Sequence, residues 1–532
     1  MTLRRHPATV DAVLPGWAKQ ASCVIALATA TISAAQAQTP QAQAEPLAPV
    51  QTHWRATFDT LTLPGDEKMG LLGGNLLFDV APHLRLGVGT YGALSGQRGG
   101  FITLGVAGEA YRKLGDAWEA RAGLFVGAGG GRGGRTLAGG GLMLRGDLGL
   151  NYDLGSLGKL GFGISHVRFP SGVINSTQPY VQYDYPFYSL LDSGWRAAAP
   201  AHEQADGGPG RAAMATHGRE ISLAGRSLRI PASVLRVDGQ PHHPSMQLLG
   251  VEWITHLDER WFLKLESEGA MGGQSNGYMQ ILAGGGYRWP LGAATAIKLH
   301  AAGGPAGGGG VDTGGGLLLD AGVALQHRFG PGVALEVGVG AMRAPSGNFR
   351  AQYLAVKLNY LFDLPIASSE VVAATELAGL NAARLRVRLA TQTYFQAAPQ
   401  WRAFSQDRSV GNLGVQLDYF PASNWYLTGQ GLAAYAGNAG AYMTGQVGVG
   451  GHQSLGERWF AQAEALLGAA GGGGLAVGGG LVGQGNVALG YRLSKTTSVL
   501  ATLGRIQSAG GEFKANVAGL SLAYQFTGFT GP

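Results

Sequence analysis

The chain has 532 residues and a formal net charge of +6, and 91 of its residues are glycine. This charge is too small and too dispersed to favour nucleic acid, and the glycines lack the triplet period of collagen. Only 14% of the residues are charged, yet no apolar run outside the N-terminus is long enough for a membrane-spanning helix. The composition therefore indicates either a large all-β globule or a membrane barrel.

Residues 1–37 are typical of a secretory signal peptide. Basic residues precede the apolar segment 21–35, and a small-x-small site ends at Ala37, after which we predict cleavage. Cys23, the one cysteine of the chain, lies inside this segment. We therefore expect export through the inner membrane and a mature chain with no disulfide and no thiolate metal site.

The rest of the chain contains three copies of one internal repeat. A Gly-Gly-Gly triplet ends at Gly141, Gly316 and Gly480, and a loop glycine follows each triplet at Gly172, Gly347 and Gly511. An aromatic residue closes each copy, at Phe187, Phe362 and Phe526. We divide the chain into modules 52–187, 227–365 and 383–529, joined by linkers 188–226 and 366–382.

Alternation of apolar and polar residues predicts about eight strands of about ten residues in each module. The opposite face of the strands carries charged residues such as Arg145 and Asp147. An apolar face backed by a charged face fits a barrel wall with lipid outside, although a water-soluble sandwich would show the same alternation. Four tryptophans near strand ends fit an interfacial girdle or ordinary core packing, namely Trp118, Trp261, Trp425 and Trp459.

We predict an all-β fold, an antiparallel transmembrane β-barrel built from three tandem modules of about eight strands. The long first linker and the repeated closing strand favour three small barrels. One large barrel of about 24 strands is the alternative, and it would leave a channel or a plugged lumen, whereas small barrels fill with side chains. An even number of strands places both linkers and both termini on one side, which we expect to be the periplasmic side.

The last strand places apolar residues at every second position, at Leu520, Leu522, Tyr524 and Phe526. It resembles the C-terminal signature that Gram-negative outer-membrane β-barrel proteins present to the barrel-assembly machinery. The resemblance implies a location in the cell outer membrane, contact with outer-membrane lipid, and the assembly machinery as a partner. Members of this group usually end on the aromatic residue, whereas this chain continues for six further residues.

The segment 163–177 of module one resembles the corresponding segment of lipid A deacylase, an eight-stranded outer-membrane esterase. The resemblance implies His166 and Ser171 as catalytic residues, because an imidazole that accepts the serine proton activates serine for attack on an ester. The family places its serine two residues after its histidine, where this chain has Arg168. The carboxylate in the following strand is Asp184.

Three glycine-rich tracts, 127–134, 303–310 and 471–474, do not fit phosphate-binding loops, because neither the following helix nor the lysine is present. They predict tight outer hairpins or strand positions where backbones or chains approach closely. No cofactor and no metal site is predicted, because no group of carboxylates or histidines has the spacing of metal ligands.

We predict a non-enzymatic outer-membrane barrel protein. It would act as a pore or export component for small solutes or polysaccharide, or as a structural component of the membrane. A lipid A-modifying esterase confined to module one is the first alternative. A surface adhesin that uses the glycine-rich hairpins is the second, although short loops offer little binding area.

Overall fold

The computed structural model describes residues 45–195 and 214–531. Their strands form three closed antiparallel barrels of eight strands each. In every barrel the first strand pairs with both the second and the eighth, which closes the sheet. The predicted all-β fold of three eight-stranded barrels is confirmed. The predicted signal peptide, 1–37, lies outside the described residues.

Barrel one is formed by the first eight strands. They are β1 (Val50–Thr62), β2 (Lys68–Ala81), β3 (Leu84–Ser95), β4 (Ile102–Lys113), β5 (Trp118–Gly130), β6 (Leu142–Asp153), β7 (Lys159–Arg168) and β8 (Asn175–Ser189). A short helix, α1 (Gly134–Ala138), lies between β5 and β6, and a 3₁₀ turn spans Gly155–Leu157. A three-residue strand, β9 (Leu191–Ser193), follows the barrel and pairs with the end of barrel three.

Barrel two repeats this plan. Its strands are β10 (Thr216–Arg229), β11 (Ser245–His256), β12 (Trp261–Gly272), β13 (Met279–Pro290), β14 (Thr295–Gly307), β15 (Leu317–Arg328), β16 (Val333–Arg343) and β17 (Arg350–Pro365). The predicted linker 188–226 is wrong at its C-terminal end, because β10 already begins at Thr216. On the outward face of this strand, Arg219 and Gly225 interrupt the apolar alternation and hide it in the sequence.

Barrel three follows a connector that contains a short helix, α2 (Ala374–Leu377). Its strands are β18 (Asn381–Gln396), β19 (Ser409–Phe420), β20 (Trp425–Ala436), β21 (Met443–Ser454), β22 (Trp459–Gly471), β23 (Leu481–Arg492), β24 (Thr497–Ser508) and β25 (Lys514–Thr530). The residues after Phe526 continue β25 and pair with β18 and β9. No helix among residues 45–195 and 214–531 is long and apolar enough to cross a membrane.

The outer walls carry apolar side chains and the interiors carry polar ones. In β25, Leu520 and Leu522 are 66% and 51% exposed, whereas Ser521 and Ala523 point inward and are buried. Because successive side chains of a strand point to opposite faces, one strand supplies both surfaces. A closed sheet with an apolar outside and a polar inside has the two-sided wall of a transmembrane barrel.

Exposed tryptophans gather near one end of each barrel, the end at which its chain enters and leaves, here named the terminus end. Three cross-strand pairs have ring centroids 4.9 to 5.1 Å apart: Trp118–Tyr152 and Trp459–Tyr491 on the fifth and sixth strands of barrels one and three, and Trp261–Tyr287 on the third and fourth strands of barrel two. The tryptophans of these pairs are exposed on the outer wall. Exposed rings at one level are typical of the girdle of a membrane barrel rather than of a packed core. The opposite end is named the loop end.

Candidate functional site

A network of buried charges occupies the interior of barrel one. The Glu109 carboxylate accepts hydrogen bonds from the guanidinium groups of Arg55, Arg85 and Arg121. Arg55 also donates from Nε to Asp184 Oδ2 at 2.9 Å. These five residues come from β1, β3, β4, β5 and β8, so the network crosses the lumen from wall to wall.

Barrel two contains a different network built mainly from lysines. The Lys298 ammonium lies 2.8 Å from Glu220 and 3.0 Å from Glu336. The Lys357 ammonium lies 2.8 Å from Glu252 and 3.0 Å from Glu336. Each of these charges is buried, and a buried charge is tolerated only when partners and hydrogen bonds compensate its loss of water.

Barrel three has fewer interior charges and more amides. Arg386 and Arg388 both donate to Asp418, each at 2.7 Å. Nearer the loop end the lumen is crossed by glutamines, and Gln484 Nε2 donates to Gln392 Oε1 at 3.0 Å. The three interiors therefore differ in their chemistry although their walls are repeats of one pattern.

Apolar clusters close the interiors at the loop end. In each barrel two or more buried aromatic rings contact one another there, and the pairs are Phe101–Phe169, Tyr278–Phe349 and Trp401–Phe513, with ring centroids 5.6, 6.0 and 6.1 Å apart. Between the polar residues of barrel one a space of about 20 Å³ remains. This is room for about one water molecule. The lumen of barrel one is therefore filled.

The loop 397–408 lies over the loop end of barrel three. Arg402 Nη2 donates to the Asn438 carbonyl oxygen at 3.1 Å. Asn438 Nδ2 in turn donates to Asp407 Oδ2 at 2.8 Å, and the hydroxyl of Ser405 donates to the same carboxylate oxygen. The hydrogen bonds from Asn438 and Ser405 lower the pKa of the Asp407 carboxyl below its usual value. The loop is therefore attached to Asn438 at two positions, Arg402 and Asp407.

The three barrels meet at their loop ends through glycine-rich segments, here named the glycine ring. In each barrel the loop between the third and fourth strands contacts the loop between the fifth and sixth strands of the next barrel. The three joints are 96–101 on 307–316, 273–278 on 471–480, and 437–442 on 129–141. Because the third joint returns to barrel one, equivalent surfaces close a ring within a single chain.

One carbonyl group in every joint accepts a hydrogen bond from the neighbouring barrel. The donor and acceptor atoms are Gly99 N and Gly314 O at 2.9 Å, Gly440 N and Gly139 O at 3.0 Å, and Asn276 Nδ2 and Gly478 O at 2.7 Å. The acceptor is the first glycine of the Gly-Gly-Gly triplet in each module. The triplets that define the sequence repeat therefore mark the joints between barrels.

Glycine is required in the ring because backbones touch there. A Cβ atom on Gly100 would lie 2.2 Å from Gly308 N, and one on Gly277 would lie 2.6 Å from Gly472 N. Both glycines have positive φ angles, 81° and 83°. The equivalent position in barrel three is Ala441, with a φ of 94°, a conformation that glycine adopts more readily than alanine. The prediction that these tracts are points of close backbone approach is confirmed.

His166 and Ser171, the candidate catalytic residues of barrel one, form hydrogen bonds with other residues and not with each other. His166 lies on the outer wall, with Nδ1 2.8 Å from the hydroxyl of the facing threonine on β8. Ser171 Oγ accepts a hydrogen bond from Gly140 N at 2.8 Å. In barrel two Ser346 Oγ accepts the same bond from Gly315 N at 3.1 Å. The Ser171 contact is therefore a repeated feature of this loop.

Asp184, the carboxylate considered as the third member of such a site, points into the lumen. It contacts His53 Nδ1 at 2.7 Å, and Arg55 as described above. His166 is on the opposite face of the wall. The structure therefore does not bring His166, Ser171 and Asp184 together.

Glu109, the centre of the interior network of barrel one, is not among the candidate residues predicted from the sequence. A usable signal was present, because Arg55, Arg85 and Arg121 all occupy the face of their strands opposite to the apolar one. Inward-facing charges on several strands of a small barrel must meet near its axis. The particular partners depend on the register between strands, which the alternation does not specify.

No protein-family model matches the chain, and no curated protein matches it. Among solved structures, the siderophore receptor PirA from Acinetobacter baumannii is 9% identical, with a TM-score of 0.27, 92% of this chain covered and 81% of that chain. OccK11 (OpdR) from Pseudomonas aeruginosa is 12% identical, with a TM-score of 0.21 and coverage of 92% and 100%. The pairing of the strands and the two faces of the walls define the fold.

Replacing Glu109 by glutamine should lower the free energy of unfolding by about 3–5 kcal/mol, because three buried guanidinium groups lose their shared carboxylate. Urea unfolding of the full chain in detergent micelles, followed by tryptophan fluorescence, measures the change. Glu259→Gln, in an exposed turn and without an ion pair among the described residues, is the control and should cost less than about 1 kcal/mol. Equal effects of the two substitutions would contradict the role given to the network.

Gly100→Ala should destabilise the chain more than Gly65→Ala. The two glycines have nearly the same φ, 81° and 79°, but a Cβ on Gly65 meets nothing within 4 Å. The control therefore isolates the cost of the dihedral angle, about 1 kcal/mol, from the cost of the close approach. Ala441→Gly should stabilise the chain by about 1 kcal/mol. Thermal unfolding of the three variants decides the order, and equal losses for both glycines would refute the close approach.

Lipid A incubated with the purified chain should keep all of its acyl chains, because His166 and Ser171 are not within one catalytic arrangement. Mass spectrometry of the recovered lipid measures this, with an authentic lipid A deacylase as the positive control. Loss of an acyl chain that disappears in His166→Ala would show the geometric conclusion to be wrong.

Proposed function

We propose that this chain is a structural component of the outer membrane of a Gram-negative bacterium. It would span the bilayer as one unit of three barrels and would not conduct solutes through them. The observation that carries the proposal is that bonded polar side chains and an apolar cluster cross the interior of every barrel. A cavity of about 1190 Å³ is lined by residues of barrel three, but the apolar cluster still closes that barrel at the loop end. A pore or export role, the other role predicted for such a barrel, receives less support.

The sealing of the lumens supports this choice. A solute path needs a continuous column of water, and eight-stranded barrels have interiors just wide enough for side chains to fill. In this chain the polar networks span the middle of each lumen, and the aromatic clusters lie above them at the loop end. A solute would have to displace both layers, including ion pairs that cannot be separated without leaving buried charges unpaired.

The outer wall supports a position in a membrane. Leucines such as Leu148 and Leu503 are 67% and 64% exposed. Exposure of so many apolar side chains is unfavourable in water but not in lipid. The aromatic pairs at the terminus end would then lie at the boundary of the apolar layer. A closed sheet satisfies its own backbone hydrogen bonds, as a lipid environment requires.

Contact with the barrel-assembly machinery is part of the same proposal. The outward face of β25 presents Leu520, Leu522 and Tyr524, and the ring of Tyr524 stacks on Phe526 with centroids 6.4 Å apart. In barrel two Tyr360 and Phe362 form the equivalent stack at 5.8 Å. The closing strands of barrels two and three therefore offer the same apolar ridge for recognition.

The purified mature chain should give no stable conductance steps in planar lipid bilayers, because an apolar cluster closes each lumen at the loop end. Insertion is verified on the same sample by protease protection, and a porin with a water-filled lumen is measured in the same chamber as the positive control. Reproducible steps of one size from the inserted protein would contradict the proposal and would favour a pore.

A further inference from the structure

We propose that the loop end of barrel two binds the phosphate group of a phosphorylated glycolipid through Arg343 and Arg350, with Arg229 as a third cation. The inference rests on the proposed membrane position, because it places the loop end at the outer leaflet. It goes beyond that position by naming the lipid chemistry and the residues that contact it.

The two central arginines face each other directly across neighbouring strands. Arg343 at the end of β16 and Arg350 at the start of β17 are register partners, and both are exposed on the outer wall. Arg229 on β10 faces Gln352, two residues further along β17. Side chains directly opposite on antiparallel strands have Cβ atoms about 5 Å apart, and diagonal neighbours are about 7–8 Å apart. All three guanidinium groups can therefore reach one anion.

This arrangement is unfavourable without a ligand, because like charges directly opposite each other destabilise a sheet. No carboxylate forms an ion pair with these three arginines among residues 45–195 and 214–531. Arg350 Nη2 donates to Ser233 Oγ at 2.9 Å, a neutral partner that leaves the charge uncompensated. A phosphate group would compensate it, and the planar guanidinium matches phosphate oxygens with two parallel donors.

The other barrels show that the fold does not require two facing arginines at these positions. The position of Arg350 is occupied by Asn175 in barrel one, and that of Arg343 by Gln507 in barrel three. In each of those barrels one cation, Arg168 or Lys514, faces a neutral partner. The facing pair of arginines is therefore a property of barrel two alone among these equivalent positions.

The wall below the arginines indicates a lipid rather than a free anion. Val339 and Leu354 face each other four residues nearer the terminus end and are 53% and 51% exposed. Between them and the arginines lie Ala341 and Gln352. β10, β16 and β17 supply none of the loops of the glycine ring. The cluster thus presents a cationic group above an apolar strip, which matches a phosphate headgroup above acyl chains.

The test uses the full mature chain in detergent micelles and three probes: bis-phosphorylated lipid A, dephosphorylated lipid A, and inorganic phosphate. Thermal unfolding and the amount of lipid retained through gel filtration are measured. Bis-phosphorylated lipid A should raise the unfolding temperature, and the double variant Arg343→Gln/Arg350→Asn should bind it about tenfold more weakly. Without lipid the same variant should unfold at a higher temperature than the natural chain, because the repulsion is removed.

The control variant, Arg260→Gln/Arg328→Gln, removes two exposed cations at the terminus end of the same barrel and should retain the lipid like the natural chain. If the double variant does not fold, the single variants Arg343→Gln and Arg350→Asn replace it, since each carries a residue found at that position in a sister barrel. Unchanged binding by the variants would overturn the inference. Equal binding of dephosphorylated lipid A, or an equal shift with inorganic phosphate alone, would overturn it as well.

This outcome is separable from the proposed function. Failure of lipid binding leaves the conductance of the barrels untouched, and conductance steps would not alter the dependence of lipid retention on Arg343 and Arg350.

Discussion

The close approach of backbones in the glycine ring is the contact on which the arrangement of the three barrels depends. A side chain at Gly100 or Gly277 would separate two barrels, because the atoms it would meet are backbone atoms that cannot rotate away. Each joint also has one hydrogen bond to a triplet glycine, so the joint is polar and directional as well as close. Three such joints in sequence close a ring, and a closed ring restrains every barrel from two sides.

The glycines join the barrels to one another, whereas the charged side chains occupy the lumens. The walls repeat because each must meet lipid outside and close on itself. The lumens do not repeat, and Glu109, Lys298 and Asp418 each belong to a network with different partners. Buried ionic networks add little net stability but exclude alternative packings and water. A ring of sealed barrels is therefore consistent with a structural role, and the exposed arginines of barrel two are its clearest chemical feature on the outside.

Much of the fold could be predicted because it depends on local alternation. The three modules and the outward face of Leu520 and Leu522 follow from a period of two residues. The start of barrel two could not be predicted, because an arginine and a glycine on the outward face of β10 conceal the pattern. For the glycine-rich tracts the sequence predicted either tight hairpins or close approach of backbones. It could not distinguish the two, because both are rich in glycine. The pairing of Arg343 with Arg350 requires the register of two strands, which no single strand encodes.

Disulfide formation between Gly269→Cys and Ala469→Cys, in a chain that also carries Cys23→Ser, tests most directly the contact between barrels two and three that the ring requires. A Cβ atom on Gly269 would lie 3.1 Å from Ala469 Cβ, on facing walls of barrels two and three. A shift of about 0.4 Å or more would bring the two Cβ atoms into the range of about 3.5–4.5 Å found in disulfides. One intramolecular disulfide is expected, so that fragments cleaved between the two barrels remain joined until they are reduced. Free thiols in the folded, membrane-inserted chain, or disulfides only between separate chains, would contradict it.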